Sequence, residues 1–255
     1  MTLFAWAGAL AIGVSLGLLG SGGSILTVPI LVYVLGQPDK VAIAGSLAIF
    51  GGISLVGAVP YALRRLIDWR SVVYFGAPGM VGAFGGAALA RFVDGSVQLL
   101  AFAVLMLVAA VFMMRGNGLH GTEARPAQAW WKIALEGLTV GVVTGLVGVG
   151  GGFLIVPALA LLGGLPIHVA IGTSLSIIAL KSFVGFYEYL HVLGDLQLRL
   201  DWTVVLLFTA TGVGGSFLGG RIAAQVSQIV LRRTFALFLV LVGSFIVWEN
   251  AGAFF

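Results

Sequence analysis

The stretch from Gly17 to Phe50, GLLGSGGSILTVPILVYVLGQPDKVAIAGSLAIF, recurs from Gly145 to Ile178 as GLVGVGGGFLIVPALALLGGLPIHVAIGTSLSII. The offset is a constant 128 without a gap, and half of the aligned positions are identical. The matches include Gly20/Gly148, Gly22/Gly150, Gly23/Gly151, Pro29/Pro157, Pro38/Pro166 and Ser46/Ser174. Beyond the core motif, Asp68-Trp69 pairs with Asp201-Trp202, and Gly82, Gly85 and Arg91 pair with Gly212, Gly215 and Arg221. A duplication in so apolar a chain points to two pseudo-symmetric halves.

The halves belong in a bilayer. The chain is 60% hydrophobic and 9% charged, against roughly 25% charged residues in a soluble domain. Charge-free runs extend over Met1–Pro38, Val41–Leu63, Ser71–Ala90, Gly95–Met114, Gly137–Leu180, Trp202–Gly220 and Thr234–Trp248. A spanning helix needs about 20 apolar residues. The first half reads as a helix at Leu3–Leu19, a break at Gly20–Ser24, a short helix at Ile25–Leu35, and segments at Val41–Leu63, Trp69–Ala90 and Val97–Met114. The counterparts are Trp130–Val147, Gly148–Gly152, Phe153–Leu162, Ile167–Leu190, Trp202–Gly220 and Ile229–Trp248. The expected fold is an all-α polytopic membrane protein of about 8–10 membrane helices. Residues 1–115 form a first repeat, 116–129 a linker and 130–255 a second repeat.

No basic residue precedes Lys40, so Thr2–Leu19 reads as the first membrane segment and not as a cleavable signal. The chain has no cysteine, which excludes disulfides and thiolate metal sites. A net charge of +4 is ordinary for a membrane protein and does not imply a nucleic-acid partner.

The short helix after each break has about 11 residues, or roughly 17 Å, and cannot cross a core of about 30 Å. Each helix–break–short-helix unit therefore reads as re-entrant or discontinuous. Such backbone persists at membrane depth only where protein or a polar cavity satisfies it. If each half makes an odd number of crossings, the repeats are inverted. Arg64, Arg65, Arg70, Arg115, Arg125, Lys132, Arg221, Arg232 and Arg233 then share the inner side, with Lys40, Arg91 and Arg199 outside. Parallel repeats would give a seven-to-five split. The positive-inside rule favours inversion, with both termini outside.

The breaks, Gly20-Ser21-Gly22-Gly23-Ser24 and Gly148-Val149-Gly150-Gly151-Gly152, are the candidate substrate site. Glycine allows positive φ and close approach of a ligand to the chain. Successive N–H groups then line one concavity, and the following helix start adds unpaired donors. Together they suit an anion without a full positive charge, near the midplane where inverted repeats meet. Gly51-Gly52, Gly85-Gly86 and Gly214-Gly215 read instead as helix packing. Pro38 and Pro166 suit the start of the third segment of each half, and Pro29 and Pro157 fall inside the short helices.

Lys181 is the one ionisable residue deep in an apolar run, about 15 residues or roughly 22 Å beyond Pro166, past the midplane. It can attract an anion, pair with Glu188, titrate, or snorkel to the interface. Its first-half counterpart is Ile53. Glu188 and His191 are candidates for proton coupling. Ser46 and Ser174, with Thr173 and Ser176, either line the cavity or bond back to helix carbonyls.

The duplicated motifs GLLGSGGSILTVPIL and GLVGVGGGFLIVPAL, followed by VAIAGSLAI and VAIGTSLSI, resemble the TauE/SafE family of sulfite-exporter-like permeases over essentially the whole chain. The resemblance implies an all-helical, multi-pass permease of the inner membrane that moves small anions. Sulfite, sulfoacetate and other organosulfonates are the implied cargo, with transport linked to the proton motive force. No GxxxxGK[ST] motif for ATP is present. No cofactor, metal or catalytic residue is expected, and the partners are the anion and the lipid bilayer. A passive anion channel of the same architecture and a purely structural membrane subunit are the alternatives. An intramembrane enzyme is a weaker one: the three histidines, His120, His168 and His191, give Ser21 and Ser46 no obvious base.

Overall fold

The structure, a computed structural model, describes residues 26–115, 130–148, 155, 159, 165–223 and 228–251. Every regular element among them is helical. A short helix, α1, begins as Thr27–Pro29 and continues as a π-turn, Ile30–Val34. Then come α2 (Asp39–Leu63), α3 (Trp69–Phe92), α4 (Gly95–Arg115), α5 (Trp130–Val147), α6 (Ile167–Asp195), α7 (Trp202–Ala223) and α8 (Gln228–Ala251). Four of these, α2, α3, α5 and most of α6, are long and apolar enough to cross a membrane. Large apolar side chains such as Leu55, Val81, Val104, Leu206 and Leu241 lie exposed on the outside of the bundle, the reverse of a water-soluble surface.

Local geometry repeats with the sequence. Pro38 and Pro166 cap α2 and α6 with nearly the same dihedrals, −56°/143° and −53°/141°. Both rings pre-set the chain for a helix start, and the Ala42 and Ala170 amides each donate to the proline carbonyl at 2.9 Å. The Gln37 amide donates to the Leu31 carbonyl (3.0 Å), and 128 residues on the Leu165 amide donates to that of Leu159 (3.2 Å). Asp68 and Asp201 both accept first-turn amides, of Ser71 in one case and of Thr203 and Val204 in the other. The helices α2 and α6 also end alike, on Arg65 and Gln197 at φ 54°. The next amides, of Leu66 and Leu198, return to the Tyr61 and Leu193 carbonyls. That late stop makes α6 five residues longer than its apolar run suggests: the polar Glu188, His191 and Asp195 lie on its last turns and do not end it.

Directions follow from the contacts. Along α2 and α6, Gly51 faces Phe183, Gly57 faces Leu175 and Gly172 faces Tyr61, so the two run antiparallel. Along α3 and α5, Gly137 faces Phe75, Gly141 faces Gly79 and Gly145 faces Ala83, so these two run parallel. Lys40, at the start of α2, donates to the Ala90 and Val93 carbonyls at the end of α3. Lys40, Arg91 and the end of α6 therefore share one end of the bundle. Arg64, Arg65, Arg70 and Lys132, at the end of α2 and the starts of α3 and α5, share the other. Exposed tryptophans mark both ends, Trp69, Trp130 and Trp131 at one, Trp202 and Trp248 at the other, as in membrane interface belts.

The α3–α5 contact is backbone on backbone. A Cβ added at Gly82, Gly86, Gly141 or Gly145 would lie within 2.3 Å of a carbonyl oxygen of the partner helix. No side-chain movement relieves that, so Gly141→Val is expected to cost upwards of about 3 kcal/mol and to lower Tm sharply in detergent. Gly51 and Gly52 are also tight, against Phe183 and Thr209, whereas Gly85 and Gly214 face open space.

Candidate functional site

Three of the residues singled out in the sequence, Ser46, Gly148 and Lys181, fall on one line of hydrogen bonds. Lys181, in the middle of α6, is 2% exposed, and its Nζ donates to Thr144 Oγ1 on α5 at 2.7 Å. Thr144 passes its own hydroxyl proton to the Val140 carbonyl (2.6 Å). The Thr144 carbonyl accepts the Gly148 amide at 2.9 Å. The Gly148 carbonyl in turn accepts from Ser46 Oγ on α2, whose hydroxyl also leans on the Ile43 carbonyl. Gly148 opens the second break at φ +74°, and a Cβ there would sit 2.2 Å from Ile43 Cγ2. Only glycine suits both the dihedral and the space.

Lys181 does not snorkel, and Glu188 is not its partner. It is the fifteenth of the 29 residues of α6, the middle of that helix. Among the described residues no carboxylate forms an ion pair with it. Its counterpart Ile53 is fully buried and packs on Gly212, while the Lys181 stem packs on Gly79. Ser174 bonds back to the Ile171 carbonyl (2.8 Å), as Ser46 does to that of Ile43, and Ser176 bonds back to that of Gly172. Thr173 instead accepts the Asp68 amide and ties the α2–α3 turn to α6. Gly20, Ser21, Gly22, Gly23, Ser24, Gly150, Gly151 and Gly152 lie outside the described residues.

Glu188 and His191 belong to a second cluster at the end of the bundle. Arg91 Nη2 meets Glu188 Oε1 at 2.8 Å, and His191 Nδ1 lies 3.9 Å from Glu188 Oε2. With Phe84, Ala88, Tyr187 and Asp195 they line an open hollow of about 530 Å³.

Three partners were not evident from the motifs. Gln98 Nε2 and Tyr189 Oη both donate to the Leu146 carbonyl, at 2.6 and 2.8 Å, and Gln98 also donates to Tyr189 Oη. They clasp the last turn of α5 just before the second break, where carbonyls lack helical partners. Thr144, which receives Lys181, is the third. A lone glutamine in the apolar run Gly95–Met114 was the available signal. Gln98→Leu removes one of two donors to a buried carbonyl and is expected to cost about 1–3 kcal/mol, read as a lower Tm. Tyr189→Phe should cost a similar amount. Among the described residues, the buried Thr27 Oγ1, Gln98 Oε1 and Ser182 Oγ have no partner.

The comparisons agree with this architecture. The model of the sulfite exporter TauE/SafE family matches residues 5–246. A probable membrane transporter protein of Xylella fastidiosa is 33% identical over 94% of this chain and 92% of its own. The probable membrane transporter protein YunE of Bacillus subtilis is 26% identical over 91% and 92%. A probable membrane transporter protein of Methanocaldococcus jannaschii is 29% identical over 70% of each. No solved structure gives a significant match. A helical bundle with lipid-facing apolar sides, a buried uncompensated lysine and this family match over nearly its whole length has one consistent reading: the chain belongs to the TauE/SafE sulfite exporter family and is a multi-pass membrane transporter.

Proposed function

We propose that the protein is a secondary transporter of small oxyanions, sulfite or organosulfonates, in the inner membrane, driven by the proton motive force. The observation that carries the reading is Lys181: a buried ammonium without a counter-ion, at mid-helix, one turn from a glycine break. Charge in that position costs about 2.5–3.5 kcal/mol on insertion scales, and an anionic cargo offsets it.

The two halves, 1–115 and 130–255, act as inverted repeats. Three features support this. The equivalent helices α2 and α6 run antiparallel. The equivalent pairs α2–α7 and α6–α3 are both in contact. The helices α5 and α6 both start from the end that holds Arg64 and Lys132 and so run parallel, as helices on either side of a re-entrant segment do. With an offset of 128, equivalent residues come level near Ile53 and Lys181, on the symmetry axis and at the midplane. Gly148 is level with Ser46, seven residues or about 10 Å towards one face. The two breaks, Gly20–Ser24 and Gly148–Gly152, form the cargo site. Their amides, with Ser21 and Ser24, hold the cargo as it passes. The end bearing Lys40, Arg91 and Arg199 is the outer one. There Glu188 and His191 take part in proton coupling, with Arg91 holding Glu188.

The test is sulfite flux into proteoliposomes of purified protein with and without a pH gradient, alongside Gly22→Leu and Gly150→Leu. Saturable, gradient-driven flux that falls at least tenfold in both variants is expected. Flux indifferent to the gradient would make the protein a channel, and flux unchanged in both variants would return the breaks to packing.

A further inference from the structure

We propose that the central site carries one unit of negative charge at a time, so that the cargo is a monoanion and Lys181 with Thr144 selects for it. This rests on the transport reading above and narrows its substrate class. The inference comes from charge balance at the middle of the bundle. The chain has nine carboxylate side chains; eight are among the described residues, and none of them pairs with Lys181. The ninth, Glu123, falls in the linker between the halves. Two further cations among the described residues are already engaged: Lys40 on the Ala90 and Val93 carbonyls, Arg91 on Glu188. Among the described residues, Lys181 is therefore the one buried cation at the middle of the bundle without an ion-pair partner.

An ammonium has three donors, and Lys181 uses one on a neutral hydroxyl. Two remain for an oxyanion. The duplication does not supply a second charge, because the equivalent position is Ile53. One bound monoanion makes the site neutral. A dianion leaves a net negative charge at the same depth, where charge is as costly as for the empty lysine. Sulfite satisfies this by taking up one proton to become hydrogen sulfite, and a simple alkanesulfonate satisfies it at any neutral pH. Sulfoacetate, with a sulfonate and a carboxylate, does not. Thr144 is a positioning residue: its proton is committed to the Val140 carbonyl, so its lone pair faces the ammonium and fixes the direction of the two free donors.

The test is competition against sulfite uptake in proteoliposomes at constant ionic strength, with methanesulfonate as the monoanion and sulfate and sulfoacetate as dianions. Methanesulfonate is expected to compete at least tenfold more effectively than either dianion. Lys181→Gln should weaken competition by methanesulfonate at least tenfold, because no bound anion then leaves the site neutral, and Lys181→Arg should keep the wild-type order. Thr144→Val should raise the half-saturation concentration for sulfite roughly fivefold with little change in maximal rate, and Thr144→Ser should restore it. Dianions competing as well as methanesulfonate, with sulfite uptake intact, would overturn the charge rule and leave the transporter reading standing. Methanesulfonate competition undiminished in Lys181→Gln would overturn the assignment to Lys181. No wild-type uptake of sulfite and no binding of any of these anions, by shift of Tm, would overturn both.

Discussion

Lys181→Met is expected to make the protein more stable and to stop it transporting. The side chain is 2% exposed, and among the described residues its only polar contact is a neutral hydroxyl at 2.7 Å. Replacing a buried, poorly compensated charge by an apolar group of similar volume is neutral to stabilising by about 1–4 kcal/mol. The other half of the chain has already made that replacement, with a fully buried Ile53 at the equivalent position. Thr144 keeps its bond to the Val140 carbonyl in the variant and is not orphaned. A higher Tm in detergent, with sulfite flux reduced roughly 10- to 100-fold, is the expected pair of results. A lysine retained against its own stability cost is a lysine retained for function. A lower Tm with normal flux would make Lys181 a structural residue.

Gly148→Val is expected to fail for a different reason. A side chain at φ +74° costs about 1–2 kcal/mol, and its Cβ would lie 2.2 Å from Ile43 Cγ2 and 3.1 Å from the Ile43 carbonyl oxygen. Overpacking of this kind adds roughly 1–3 kcal/mol. Relaxation would push α2 away from the second break and part Ser46 from the Gly148 carbonyl. Flux and Tm should therefore fall together, unlike the opposed changes at Lys181. Pairing Gly148→Ala with Ile43→Ala separates the two causes: the contact is relieved, the dihedral is not, and about 1–2 kcal/mol of the loss should persist. Full rescue by Ile43→Ala would mean that the backbone conformation carries no cost.

The helices and their starts were legible because the signals are local. The rings of Pro38 and Pro166, the carboxylates of Asp68 and Asp201 and the apolar runs each act within a few residues, and the duplication let every reading be checked against its copy. The end of α6 was not legible. Gln197 closes it at positive φ without being glycine, and the apolar run stops a turn before the helix does. The partner of Lys181 was not legible either. Its choice of Thr144 over Glu188 depends on α5 coming within backbone contact of α3 through Gly137, Gly141 and Gly145, a long-range event that no spacing in α6 encodes. The pairing of Glu188 with Arg91 likewise required the ends of α3 and α6 to meet. Ser46 reaches from α2 to the Gly148 carbonyl, whereas its matched Ser174 bonds back to the Ile171 carbonyl, a difference that the matched spacing did not encode. Ser176 has no serine in the other half and proved to bond only its own helix.

The most direct measurement uses the absence of native cysteine. A single cysteine at Ser182, next to Lys181 and buried with its hydroxyl unpartnered, reports whether the centre of the bundle is reached by water during turnover. In reconstituted protein, a charged, membrane-impermeant maleimide is expected to label Ser182→Cys, and millimolar methanesulfonate is expected to slow the labelling several-fold. A cysteine at lipid-facing Leu206, 67% exposed, should resist the same reagent. Labelling of Ser182→Cys only by a lipid-soluble maleimide, with no effect of the anion, would contradict a substrate pathway at the crossing of α2 and α6.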